Sequence, residues 1–164
     1  MTATVRPASE ADLPAILEIT NEQVLNGTAT FDLEPRTMEQ QLEWVKQFSG
    51  PYVLLVAEDG GEVVAWGCLH PFGGKPGYRF TTENSVYIRE GRRRQGLGRL
   101  MLAALVNAAK ENGFHTVIAR ITTDNKASIA LHSQLGFREV GREKEVGYKF
   151  ERWLDVAVMQ LMLA

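Results

Sequence analysis

The sequence predicts a mixed α/β (α+β) fold, with one β-sheet flanked by helices in a single domain spanning residues 1–164. Three observations carry this. Short β-rich runs alternate with helix-period runs along the whole chain, in the order β-α-α-β-β-β-α-β-α-β-β. One segment is strongly amphipathic: Leu97, Leu100, Met101, Ala104, Leu105 and Ala108 recur at i, i+3, i+4, i+7, i+8 and i+11. No linker, repeat or low-complexity tract interrupts the series, and 164 residues suffice to bury roughly 70% of the unfolded surface without a disulfide or metal staple.

The elements follow in order. Thr4 to Ala8 reads as a strand. Ser9, with Asp12 three residues later, is a capping signal for a helix carrying Leu13, Ile16, Leu17, Thr20 and Val24, which Asn26-Gly27 stops. Thr28 to Pro35 reads as a loop. Thr37 and Gln40 form a second capping box, opening a short helix with Leu42, Val45 and Phe48. Val53 to Ala57 and Val63 to Cys68 are strands joined by the turn Asp59-Gly60-Gly61. His70 to Pro76 reads as loop, Thr82 to Ile88 as a strand and Arg89 to Gln95 as a charged loop. The amphipathic helix ends at Asn112-Gly113. Val117 to Ile121 is a strand, Asn125 to Leu135 a helix with Gly136 at its C′ position, and Val140 to Lys144 and Leu154 to Leu163 are strands.

Composition narrows the function classes. Hydrophobic residues make up 45% and charged residues 23%, the balance of a globular chain. Lys and Arg total 18 against 20 Asp and Glu, so the net charge is -2 and the basic excess of a nucleic-acid binder is missing. The single cysteine, Cys68, rules out an internal disulfide and a cysteine-based metal cluster, and no metal is expected. No apolar run approaches the ~20 residues of a membrane span. The first residues, MTATVRPASEADLP, carry charges at once, and a cytoplasmic location is the expectation.

The stretch with chemical content is the strand Ser85-Val86-Tyr87-Ile88, then Arg93-Arg94-Gln95-Gly96-Leu97-Gly98-Arg99, then the strong helix. Free N–H groups at a helix N-terminus, two glycines that admit close approach, and several arginines suit a pyrophosphate. A Walker loop is absent, and the dinucleotide fingerprint lacks its third glycine, where Leu100 and Met101 stand. By composition alone, the same residues also describe a tight loop with solvated arginines.

The pattern Arg93-x-x-Gly96-x-Gly98 between strand and helix resembles the acetyl-coenzyme A signature of the GNAT N-acetyltransferase superfamily. Asn125-Lys126-Ala127-Ser128, Leu131-His132 and Leu135-Gly136-Phe137 resemble its second signature. Tyr78 to Tyr87, Gly113 to Val117 and Val146 to Val156 resemble the phosphinothricin and methionine sulfoximine acetyltransferase branch. The loop His70 to Gly77 departs from that branch. The resemblance implies a GNAT-like fold and transfer of an acetyl group from acetyl-CoA to the amine of a small amino-acid-like acceptor, such as phosphinothricin, methionine sulfoximine or methionine sulfone. It also implies detoxification and a homodimer, with the Lys149-Phe150 region near a neighbouring subunit's site.

Residue by residue, the resemblance implies that Val86, Tyr87 and Ile88 pair with the cofactor's amide arm where two strands splay. Arg93, Arg94, Gln95, Gly96, Leu97, Gly98 and Arg99 would hold its phosphates, with Asn125 and Ser128 as further contacts. Glu83 and His132 are the catalytic candidates. Glu83 shares a strand face with Ser85 and Tyr87, although most strand-end glutamates are surface acids. Asn125, Ser128 and His132 share a helix face, and a neutral imidazole permits acid or base duty. Gly77, Tyr78 and Arg79 are acceptor-binding candidates, since an arginine fork suits a carboxylate or phosphinate; a solvated loop arginine is the alternative. His70 and His115 read as structural or surface residues, Cys68 as core, and Trp66 and Trp153 as packing or interface aromatics. Two other functions stay open: acetylation of protein N-termini or other amines, and a non-catalytic acyl-CoA sensor.

Overall fold

The computed structural model describes residues 2–164. Its elements are β1 (Thr4–Pro7), α1 (Leu13–Asn26), α2 (Met38–Trp44), β2 (Leu54–Asp59), β3 (Glu62–Pro71), β4 (Thr81–Ile88), α3 (Leu97–Glu111), β5 (Thr116–Thr122), α4 (Lys126–Gln134), β6 (Arg138–Lys149) and β7 (Arg152–Met162). The seven strands form one sheet in the order β1-β2-β3-β4-β5-β7-β6. Neighbours run antiparallel except β4 and β5, which are parallel. Element order agrees with the expected one.

Local signals set the helix starts. Gln40 N–H donates to Thr37 Oγ1 at 3.2 Å and Thr37 N–H donates to Gln40 Oε1 at 2.9 Å, a reciprocal capping box. Asp12 accepts from Ser9 N–H at 2.7 Å and from Arg6, so the turn Glu10–Asp12 is a 3-10 turn before α1 begins.

Helix α1 packs Ile16 and Ile19 against Val56, Trp66 and Cys68 on one sheet face. Helix α3 packs Leu97, Met101, Leu102 and Leu105 against Val64, Leu69, Val117 and Met159 on the other. Gly67 makes this approach possible, since a Cβ there would lie 2.7 Å from Met101 Cγ.

Two boundaries differ in ways that bear on function. Strand β3 runs through His70 and Pro71, which read as loop from sequence; the antiparallel ladder with β4 extends it and sets His70 opposite Glu83. Strand β6 runs from Arg138 to Lys149, well past Lys144, because bulges after Glu139 and Glu143 let it keep pairing with β7. It closes in a two-residue turn with φ of 54° at Phe150 and 59° at Glu151, a primed turn built without glycine.

Candidate active site

Strand β4 pairs with β5 only through Thr81, Thr82 and Glu83, against Thr116, Val117 and Ile118. From Asn84 to Ile88 it pairs with β3 alone, while β5 continues to Thr122 along β7. The two parallel strands part, and the edge of β4 facing β5 has no sheet partner among the described residues. A pocket of about 210 Å³ lies in the opening. Its walls are Glu83 to Tyr87, Ala119 to Thr122, the α4 face Asn125, Ser128 and His132, and the loop Thr28 to Phe31. The expected residues Glu83, Val86, Tyr87, Asn125, Ser128 and His132 are thus brought together. Ile88 lies just beyond, its side chain packed against the α3 core.

The turn from β4 to α3 carries left-handed backbone at Gly91 (φ 83°), Arg94 (φ 61°) and Gly96 (φ 79°). The first helical bond runs from Leu100 N–H to Gly96 O at 3.0 Å, and no side chain caps the helix. The N–H groups of Leu97, Gly98 and Arg99 are therefore open to a ligand. Arg93, Arg94 and Arg99 are exposed, and among the described residues none has a carboxylate within ion-pair distance. Arg92 is different: it pairs with Asp59 and donates to Gln95 Oε1 at 3.0 Å, which also fixes the Gln95 side chain within the loop. Leu97 is buried and anchors the helix, and Gly98 abuts Leu131 of α4. Open amides and three uncompensated guanidinium groups fit an oligophosphate.

Glu83 lies on the pocket with Oε2 3.6 Å from His70 Nε2, and His70 Nε2 is also 3.5 Å from Ser85 Oγ. The β3–β4 register causes this, aligning His70 with Glu83 and Cys68 with Ser85. His70, read from sequence as structural or surface, is thus the neighbour of the candidate base. Its signal was hidden because His70 read as loop.

His132 is 3% exposed. The Ser128 carbonyl can only accept, so His132 Nδ1–H donates to it, at 2.8 Å. That leaves Nε2 as the acceptor for Asn84 Nδ2–H at 3.1 Å. Burial pushes the imidazole pKa below its ordinary value, partly offset by the Ser128 bond, so the ring is held neutral with both nitrogens engaged. Asn125 Oδ1 accepts from Ser128 N–H at 3.2 Å as the α4 N-cap. Cys68 is also buried, which pushes its thiol up to about 12 and makes it a poor nucleophile at neutral pH.

The structure does not bring Gly77, Tyr78 and Arg79 to this pocket. They sit on the turn Pro76–Tyr78, which closes on itself: Tyr78 packs edge-on against Phe72, and Arg79 donates to Pro76 O at 3.2 Å with its guanidinium over Phe80. Lys149 points inward. It is 3% exposed and donates from Nζ to Gln23 O at 3.2 Å and Thr30 O at 2.9 Å, while Phe150 beside it is exposed. Lys149 therefore clamps the loop that roofs the pocket. Tyr87 OH and Thr122 Oγ1 donate to other carbonyls of the same loop, those of Ala29 and Thr28. No periodicity marks this loop in the sequence. Its only trace is a lysine two residues after Gly147, on the inward side of the β6 alternation.

Comparison with known proteins agrees with this geometry. The acetyltransferase (GNAT) domain family matches residues 5–158. An L-methionine sulfoximine/L-methionine sulfone acetyltransferase of Pseudomonas aeruginosa is 40% identical, covering 99% of this chain and 96% of its own length. A GNAT superfamily phosphinothricin acetyltransferase from Sinorhizobium meliloti, solved in complex with acetyl-CoA, superposes with a TM-score of 0.95 at 40% identity, covering 100% of this chain and 90% of that one. A ribosomal-protein-alanine N-acetyltransferase from Brucella melitensis superposes with a TM-score of 0.95 at 42% identity, over 98% and 99% of the two chains. With the parted β4–β5 pair and the arginine turn in place, the chain belongs to the GNAT acetyltransferase family.

Proposed function

We propose that this protein transfers the acetyl group of acetyl-CoA to the amine of a small amino-acid-like acceptor, of the methionine sulfone, methionine sulfoximine or phosphinothricin type. The observation that carries the reading is the unpaired edge of β4, which links the arginine turn at one end to Glu83 at the other. The acceptor class follows the names of the full-length relatives.

Acetyl-CoA supplies an activated thioester carbonyl. The amides of Leu97, Gly98 and Arg99, with Arg93, Arg94 and Arg99, hold its phosphates. The backbone of Val86, Tyr87 and Ile88 aligns its amide arm, beside Asn125 and Ser128. An amino-acid amine is mostly protonated at neutral pH, so Glu83 removes that proton. The free amine then attacks the carbonyl directly, and the proton released as the amide forms goes to the departing thiolate. The buried, high-pKa thiol of Cys68 argues against an acetyl-enzyme. His132, neutral and bonded at both nitrogens, holds Asn84 and the β4 edge in position. Proton transfer therefore falls to Glu83.

Further parts of the reading are a homodimer, a cytoplasmic setting and detoxification. No helix of the described residues is long and apolar enough to cross a membrane. Dimerisation is supported by edge strand β6 and its hairpin, where Val146, Tyr148, Phe150 and Trp153 are exposed; light scattering would check it. The Brucella neighbour favours a second reading, acetylation of a protein N-terminal alanine. Thiol release from acetyl-CoA should be measured with methionine sulfone, methionine sulfoximine, phosphinothricin and an alanine-terminated peptide. Turnover concentrated on the three small acceptors is expected. A preference for the peptide selects the second reading, and saturable acetyl-CoA binding without turnover of any amine selects a sensor.

A further inference from the structure

A second cavity, of about 170 Å³, lies on the α1–α2 side of the sheet. Thr30, Ser85 and Tyr87 line both it and the β4–β5 pocket, so the two are contiguous. His70, the neighbour of Glu83, also lines it. Two of its lining residues carry donors in want of acceptors.

The first is Arg36. Its backbone is clamped by Asn21, which accepts from Arg36 N–H at 2.9 Å and donates to Arg36 O at 3.0 Å. Its guanidinium lies 4.6 Å over Trp44, and Nη1 donates to Gln41 Oε1 at 2.6 Å. No carboxylate of the described residues stands within ion-pair distance, although Asp32 lines the same cavity. Stacking and one neutral bond orient the fork, and Asp32 acts on it only through space, so no direct ion pair closes on the charge. The second donor is Trp66, 2% exposed and stacked on Tyr87 at 4.6 Å, whose Nε1–H has no partner among the described residues. A buried indole N–H without an acceptor is costly, and a ligand oxygen would satisfy it.

We propose that this cavity takes the oxyanion-bearing end of the acceptor, with Arg36 as its counter-charge and Trp66 Nε1–H as a second donor. The proposal rests on the acetyltransferase reading and deepens it. Arg36 then sets acceptor specificity, in place of Arg79, whose guanidinium is taken up by Pro76 O and Phe80. The oxygens that meet Arg36 belong either to the acceptor's carboxylate or to the sulfone or phosphinate of its side chain. Trp44, Phe48 and Tyr87 supply the apolar wall for the intervening carbons.

The test compares Arg36→Gln and Arg36→Lys with wild type on methionine sulfone, its carboxamide and norleucine. Arg36→Gln should raise the KM for methionine sulfone roughly 10- to 100-fold, the worth of a charge-assisted hydrogen bond, with KM for acetyl-CoA and kcat little changed. Arg36→Lys, which keeps the charge and loses the fork, should fall between. A penalty kept on norleucine but lost on the carboxamide assigns the carboxylate; the reverse assigns the sulfone oxygens. If Arg36→Gln does not fold, as thermal melting would show, Arg36→Lys alone carries the comparison. Unchanged acceptor KM values in a folded variant, or equal losses toward acetyl-CoA and acceptor, overturn the proposal. If wild type acetylates none of the three, the acetyltransferase reading for this acceptor class fails instead. Calorimetry then decides the cavity's role: methionine sulfone must bind wild type and not Arg36→Gln, and absent binding overturns it.

Discussion

Asn84 and His132 are bonded to each other in the core, Asn84 Nδ2–H donating to His132 Nε2 at 3.1 Å. Asn84 belongs to the β4 face turned away from Glu83, so the imidazole supports the strand from behind while the carboxylate lies on the opposite face. Burial lowers the His132 pKa in the folded state. A depressed histidine pKa means the unfolded chain binds the proton more readily. Stability from this group is then complete above its ordinary pKa, near 6.5, and is lost as pH falls below it. Urea unfolding at pH 5 to 8 should show this decline in wild type and a shallower one in His132→Gln. Parallel curves would contradict a buried neutral imidazole.

Glu83→Gln should lower kcat by about 10²- to 10⁴-fold, the usual worth of a positioned base. Acetyl-CoA affinity should change little. Raising the pH should partly restore the rate, because solvent then removes the amine proton. Near-full kcat from pH 6 to 9 would leave catalysis to positioning and backbone polarisation.

At the phosphate turn, Arg94→Gln and Arg99→Gln should each weaken acetyl-CoA binding roughly 2- to 5-fold, the scale of an exposed ion pair, and reduce its salt dependence. Gly96→Val should abolish binding, since Gly96 has φ of 79° and a β-branched residue must move the turn. Calorimetry with circular dichroism as the folding control checks both. Unaltered affinity in folded variants would remove the turn from the cofactor site.

Lys149→Met should cost about 1–3 kcal/mol, since it removes a charged donor from two carbonyls. The loosened Thr28 to Phe31 loop should also raise the acceptor KM. Unchanged kinetics with lowered stability would restrict Lys149 to a structural role.

Asp12→Asn isolates the capping carboxylate. The hydrogen bonds from Arg6, reinforced by those from Ser9, hold Asp12 at about 2 against an ordinary 3.8. A lowered acid pKa stabilises the fold above the ordinary value, and the effect fades as pH falls through the folded one. The variant should lose about 2 kcal/mol at pH 7 and converge with wild type near pH 2. Denaturant melts across that range would show whether the gap closes.

Local rules determined much of this protein from the sequence alone. Element order, both capping boxes, the Asp59-Gly60-Gly61 hairpin and the glycine turn before α3 are set by residues within a few positions of one another, and the structure keeps all of them. The polar row Asn125, Ser128 and His132 was legible for the same reason, since helix periodicity places it. Only the tertiary structure decided what stands opposite what. His70 meets Glu83 through a strand register, and that register depends on a ladder whose length no local signal encodes. Lys149 reaches Thr30 across more than a hundred residues because β6 folds back over the loop after α1. Arg36 reached a cavity while Arg79 did not, because one guanidinium lies over Trp44 beside the sheet and the other is spent on its own turn. Residue type alone made the two arginines equivalent; burial and the partners already in contact separated them.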